Sequence, residues 1–156
     1  MKLALRHTLA PDAPDLHRIT TKLIEARLVT RYAHAAILVG DELLESTGQG
    51  GVHRSPVGDL SGWLLIDLGE ERDADVLRRF ERVAGAGYDF LSLSAFVIAS
   101  ARDSQRWYCY ELAYYLMTGR NPRERVTAET LILVAMQLGG RLATPLPPFK
   151  SVLMEA

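Results

Sequence analysis

Cys109 is the one cysteine in the chain. It stands in the run Arg106-Trp107-Tyr108-Cys109-Tyr110-Glu111-Leu112-Ala113-Tyr114-Tyr115-Leu116, which reads as the opening of an amphipathic helix. A thiol at that end of a helix feels the positive pole of the peptide dipoles, which favours thiolate over thiol, and the reading leaves its N-terminal side facing solvent. Thiolate chemistry also needs an imidazole within hydrogen-bond reach, first to pair with the sulfur and then to protonate a leaving group. His34 is the natural base. It sits near the start of an apolar run, Ala33 to Val39, where a buried imidazole requires a polar partner. Glu45 follows across a Gly40-Asp41 turn, and hairpin pairing there sets residues near 45 opposite the low or middle thirties. A carboxylate on the second ring nitrogen would fix the tautomer and orientation of His34.

Each of these residues also has a plainer reading. Lone cysteines are most often small buried hydrophobes, and the aromatic neighbours Trp107, Tyr108 and Tyr110 suit a core equally well. A strand histidine is more often a satisfied structural group, and Glu45 alone would be an exposed strand acid. His7, His17 and His53 have weaker claims: His17 falls among polar positions of a helix, and His53 lies in a loop beside Arg54. The histidines are scattered and one cysteine accompanies them, so no metal-ligand spacing arises and neither metal nor cofactor is expected.

The elements that must position these groups alternate along the chain. Asp15 caps an expected helix to about Leu28, with Leu16, Ile19, Leu23 and Ile24 at helical spacing. The His34 strand follows, apolar almost throughout as in a strand covered on both faces. Glu42 to Thr47 reads as the returning arm of its hairpin, and Gly48-Gln49-Gly50-Gly51 as a mobile loop leading into Val52 to Pro56. A third strand is expected over Trp63 to Leu68 and a helix over Asp73 to Ala84, stopped by Gly85 and Gly87. Tyr88 to Ser100 suits either a buried helix or an irregular core segment. The Cys109 helix ends at Gly119. Thr127 caps a last apolar helix, Leu131 to Leu138, stopped by Gly139-Gly140. Met1 to Ala10 shows only a broken apolar pattern. Residues 140–156, with their Pro145–Pro148 stretch, read as a loosely packed tail. Strands in the first half with helices at both ends predict an α+β domain spanning 1–156, with its core at about 16–138.

Composition narrows the functional classes. The 156 residues suffice for one domain with a real core, and 48% hydrophobic with 24% charged residues is ordinary for a globular protein. Eighteen basic against nineteen acidic residues leave a net charge of −1, which gives no electrostatic case for nucleic acid or an anionic membrane surface. The cluster Arg120-Asn121-Pro122-Arg123-Glu124-Arg125 is interleaved with acid and reads as a solvated loop. No run approaches the ~20 apolar residues of a membrane-spanning helix. The N-terminus lacks a secretory pattern, and one cysteine cannot close an internal disulfide, so a cytoplasmic location is the expectation.

Three segments together resemble a known family. Arg31-Tyr32-Ala33-His34-Ala35-Ala36-Ile37-Leu38-Val39, then Leu43-Leu44-Glu45-Ser46-Thr47 and Gly50-Gly51-Val52, are similar to the histidine-bearing hairpin of the circularly permuted NlpC-type papain-like enzymes. Trp107-Tyr108-Cys109-Tyr110-Glu111-Leu112 looks like that family's Tyr-Cys-Ser-Glu-Leu-Val nucleophile helix. Gly87-Tyr88-Asp89 resembles its Gly-x-x-Tyr-Asp element. Histidine precedes cysteine, as in the permuted branch, and the resemblance covers about residues 16 to 135.

It implies a papain-like fold, a small antiparallel sheet or half-barrel packed on helices. The implied roles are nucleophile for Cys109, general base and then acid for His34, and imidazole orientation for Glu45. Tyr88 and Tyr110 would be substrate or oxyanion contacts. Tyr110 replaces the family's small serine and Ala33 its small polar residue. The implied activity is hydrolysis of an amide (peptide or peptidoglycan-like) or ester through a thioester. Lipid acyl transfer on the same fold, as in relatives of lecithin retinol acyltransferase, and a catalytically silent phage or cytosolic binding module are the alternatives. The partner is accordingly a small-molecule, peptide or lipid substrate, with no nucleic acid and no stable membrane insertion.

Overall fold

The computed structural model describes residues 1–7, 32–89 and 106–143. The expected helix at 15–28, most of the ambiguous 88–100 segment and the tail beyond 143 lie outside them. The described residues form an α+β arrangement: β1 (Lys2–His7), β2 (Tyr32–Val39), β3 (Glu42–Thr47), β4 (Gly51–Pro56), β5 (Trp63–Asp67), α1 (Asp73–Glu81), β6 (Gly87–Tyr88), β7 (Arg106–Trp107), α2 (Cys109–Thr118), α3 (Ala128–Gln137) and β8 (Arg141–Leu142). Six strands make one antiparallel sheet in the order β4-β3-β2-β1-β5-β8, and β6 and β7 pair separately in parallel.

Five strands depart from the sequence expectation: β1, β4 and the two-residue β6, β7 and β8. β1 occupies the centre of the sheet, bonded to β2 on one side and β5 on the other. Its polar Lys2, Arg6 and His7 flank an apolar centre, Leu3-Ala4-Leu5, that is wholly buried. β4 lies where the sequence suggests a loop, because Gly51, His53, Arg54, Ser55 and Pro56 are poor strand formers. As an edge strand with one open flank it tolerates them. Gly51 is obligatory at its start, since φ is +59° and a Cβ there would meet the Ala86 carbonyl oxygen at 2.3 Å.

Alternation along the strands sends side chains to two faces. Leu3, Leu5, Ala35, Ile37, Leu44, Val52, Leu64 and Ile66 join the main core with α1, α2 and α3, while Ala4, Ala36, Leu38, Leu43 and Leu65 form a smaller cluster. β2 is therefore buried on both faces, as its unbroken apolar run requires. In α2 the stripe Cys109, Leu112, Ala113, Leu116 and Met117 is buried at helical spacing. Gly119, left-handed at φ 71°, closes α2 with an N–H bond to the Tyr115 carbonyl at 2.7 Å. Arg79 of α1 donates to the Leu116 and Met117 carbonyls at 2.7 and 3.1 Å, placing a cation at the negative end of α2. Thr127 caps α3 through a reciprocal box with Thr130, so that helix begins at Ala128, before the expected Leu131.

Candidate active site

The hairpin register pairs Ala36 with Glu45, so Glu45 lies one step diagonally from His34 on the same face of the sheet. From there its Oε2 reaches His34 Nε2 at 2.7 Å. Glu45 Oε1 accepts a hydrogen bond from the Ser55 hydroxyl on β4 and lies 3.7 Å from His53 Nε2. The His34 and Glu45 side chains keep only 20% and 13% of their surface exposed, so the pair is screened far less than a surface ion pair.

At the start of β2 the register shifts: Arg6 pairs with His34 but His7 with Tyr32, leaving Ala33 as an extra residue. Such a bulge bends a strand and re-aims the adjacent side chain. The N-terminus of α2 meets β2 at this point, where the Tyr110 hydroxyl donates to the Tyr32 carbonyl at 2.5 Å. Ser46, fully buried on β3, donates to the Trp107 carbonyl at 2.7 Å and fixes the two residues that lead into Cys109. The Tyr108 hydroxyl donates to the Val126 carbonyl at 2.8 Å and accepts from the Val126 N–H at 3.1 Å, tying the same turn to the loop before α3. Tyr108 is the helix N-cap, and its side chain makes no capping bond.

Cys109 and His34 meet across this junction. Burial alone would lower the His34 pKa, but hydrogen bonds to Cys109 and Glu45, and the negative charge of both, raise it to about 9. With Nε2 on Glu45, Nδ1 is the ring nitrogen that the carboxylate does not engage. Glu45 moves the other way: burial opposes its charge, and the His34 hydrogen bond and charge, then Ser55 and His53, hold it below the ordinary carboxylate value. Cys109 itself is 3% exposed. The expected solvent-facing thiol is instead a buried one, because Cys109 heads the apolar stripe of α2.

The two tyrosines are placed differently. The β6–β7 pairing sets Tyr88 beside Trp107, two residues before Cys109. Burial raises its phenol pKa, and the negative charge of Cys109 raises it further. Burial likewise dominates at Tyr110, whose donor is committed to the Tyr32 carbonyl. The sequence reading gives Ser46 and Ser55 no role at the site and ranks His53 below His34. A small hydroxyl beside an apolar strand gives no local signal, and His53 gained its place only once β4 proved to be a strand directly opposite Glu45. Among the described residues no group of three or more His, Cys, Asp or Glu is arranged to hold a metal ion. No helix among them is long and apolar enough to cross a membrane.

No protein-family model matches the chain, and neither the curated proteins nor the solved structures include a match to it.

Proposed function

We propose that the chain is a cysteine-nucleophile hydrolase acting on an amide or ester, on a papain-like fold of the circularly permuted NlpC type. The observation that carries this reading is His34, bonded to Glu45 through Nε2 at 2.7 Å and near enough to Cys109 for the sulfur to raise its pKa. A raised imidazole pKa keeps His34 protonated at neutral pH, ready to give a proton to a leaving group. The order of residues along the chain and the antiparallel sheet that presents His34 and Glu45 also agree with the family resemblance.

In the reaction, the Cys109 thiolate attacks the substrate carbonyl and a tetrahedral oxyanion forms. The uncapped first turn of α2 offers backbone N–H donors to that charge. His34 gives its proton to the departing amine or alcohol as the C–N or C–O bond breaks, leaving a thioester on Cys109. Neutral His34 then takes a proton from water as its oxygen attacks the thioester, and returns it to the departing sulfur. Glu45 stays ionised and holds the ring. Tyr88 is the substrate-side contact on this reading.

Lipid acyl transfer is the second reading. Leu133 and Met136, one turn apart on α3, favour it: they are 64% and 52% exposed and together offer an apolar surface. The test of the nucleophile is Cys109→Ser against a panel of activated acyl esters and amides. The parent should accumulate one thioester per chain, visible by intact mass and cleaved by hydroxylamine, and the variant none. Acylation that persists in Cys109→Ser would remove the assignment, because no other cysteine exists.

A further inference from the structure

The row of side chains that contains His34, one step along from the row of Glu45, continues across the sheet. Arg6 of β1 is the direct cross-strand partner of His34 on one side and of Trp63 of β5 on the other. All three therefore project to the same face. The Arg6 guanidinium carbon lies 5.8 Å from the centre of the Trp63 ring, and the Trp63 ring meets the His34 imidazole edge-on at 6.1 Å between centroids. A guanidinium at this distance over an indole is held by cation–π attraction, which keeps its N–H donors beside the ring.

Two features of this arrangement call for an anion. Arg6 stands directly opposite His34, whose own charge Glu45 and Cys109 already balance, so the guanidinium has no anion of its own there. Among the described residues no carboxylate forms an ion pair with Arg6. Glu45, one step away along the sheet, is already engaged by His34 and Ser55. Local rules are broken in this manner where a ligand completes the site. From the Arg6–Trp63 platform beside the catalytic base we infer that the acyl substrate carries a carboxylate, received by the Arg6 fork while its carbonyl lies at Cys109. The inference rests on the hydrolase reading, since it takes His34 and Cys109 as the reacting pair.

The test needs no knowledge of the natural substrate. Alkylation rates of Cys109 are measured with N-iodoacetyl amino acids of increasing chain length, glycine through 6-aminohexanoate, and with their uncharged carboxamides. At one chain length the carboxylate reagent should react about tenfold or more faster than its carboxamide, the size of one charge-assisted hydrogen bond. Arg6→Gln should erase that preference, read as the ratio of carboxylate to carboxamide rates within the variant, and Arg6→Lys should restore part of it. A preference that is absent, or that survives in Arg6→Gln, overturns the proposal, because protonated His34 alone then explains any attraction. The two claims fail separately. Carboxamide labelling that depends on His34, without a carboxylate preference, sinks the Arg6 assignment alone. Labelling indifferent to His34→Ala sinks the hydrolase reading and this inference with it.

Discussion

At the scale of single residues, the site depends on one imidazole serving two partners. Glu45→Gln keeps the shape of the side chain but removes the charge that holds Nε2, so acylation should slow by about 10²-fold, the low end of general acid–base contributions. Stopped-flow acylation checks this, and an unchanged rate would reduce Glu45 to a structural acid. Protonation of the leaving group requires His34 in its charged form. The acyl-transfer rate should therefore fall as pH rises through about 9, the value to which Cys109 and Glu45 lift the ring against burial. Alkylation of Cys109 needs only the thiolate and should show no such alkaline loss. A rate profile that stays flat to pH 10 would contradict the acid role of His34.

At the scale of elements, the question is what holds the first turn of α2 against the start of β2. Ser46 does so through the Trp107 carbonyl. Ser46→Ala leaves the Trp107 carbonyl with only the longer hydrogen bond from the Asp89 N–H at 3.4 Å, at a cost of about 0.5–1.5 kcal/mol. Urea unfolding should register the loss, and Cys109 alkylation should slow in the folded variant. The elements also explain which parts of this site the sequence disclosed. Local spacing identified the hairpin, its turn, Glu45 and the helix from Cys109 to Gly119, because each follows from periodicity and a glycine stop. It missed β4, where polar side chains and a terminal proline suit an exposed edge strand as well as a loop. With β4 went Ser55 and His53, the groups that face the far side of the Glu45 carboxylate. The same periodicity already contained the burial of Cys109: positions 109, 112, 113, 116 and 117 form the apolar stripe, and the dipole argument overrode it.

At the scale of the whole molecule, the first strand of the chain lies between two strands distant from it in sequence. Such placement is invisible to local patterning, since Met1 to Ala10 carries a periodicity too short and too charged to reveal a central strand. Its weight in the fold is testable. Leu5 is fully buried, and Leu5→Ala should cost about 2–5 kcal/mol through the cavity it leaves, measured by denaturant unfolding.

The pH dependence of stability follows from the same site groups. His34 is raised above its ordinary 6.5, so its contribution is complete below about pH 6.5 and is lost as pH rises through about 9. Glu45 is lowered from 4.5, so its contribution is complete above pH 4.5 and is lost as pH falls below that. His34→Ala should flatten the alkaline limb between about 6.5 and 9 in unfolding experiments.

The most direct measurement is the rate of iodoacetamide alkylation of Cys109 against pH, in the parent and in His34→Ala. The paired site predicts that the parent reacts well below pH 8.5, where a free thiol is mostly protonated, and that His34→Ala moves the midpoint upward. A thiol inert at neutral pH, or one whose profile ignores His34, would contradict the pairing and leave Cys109 as a core residue.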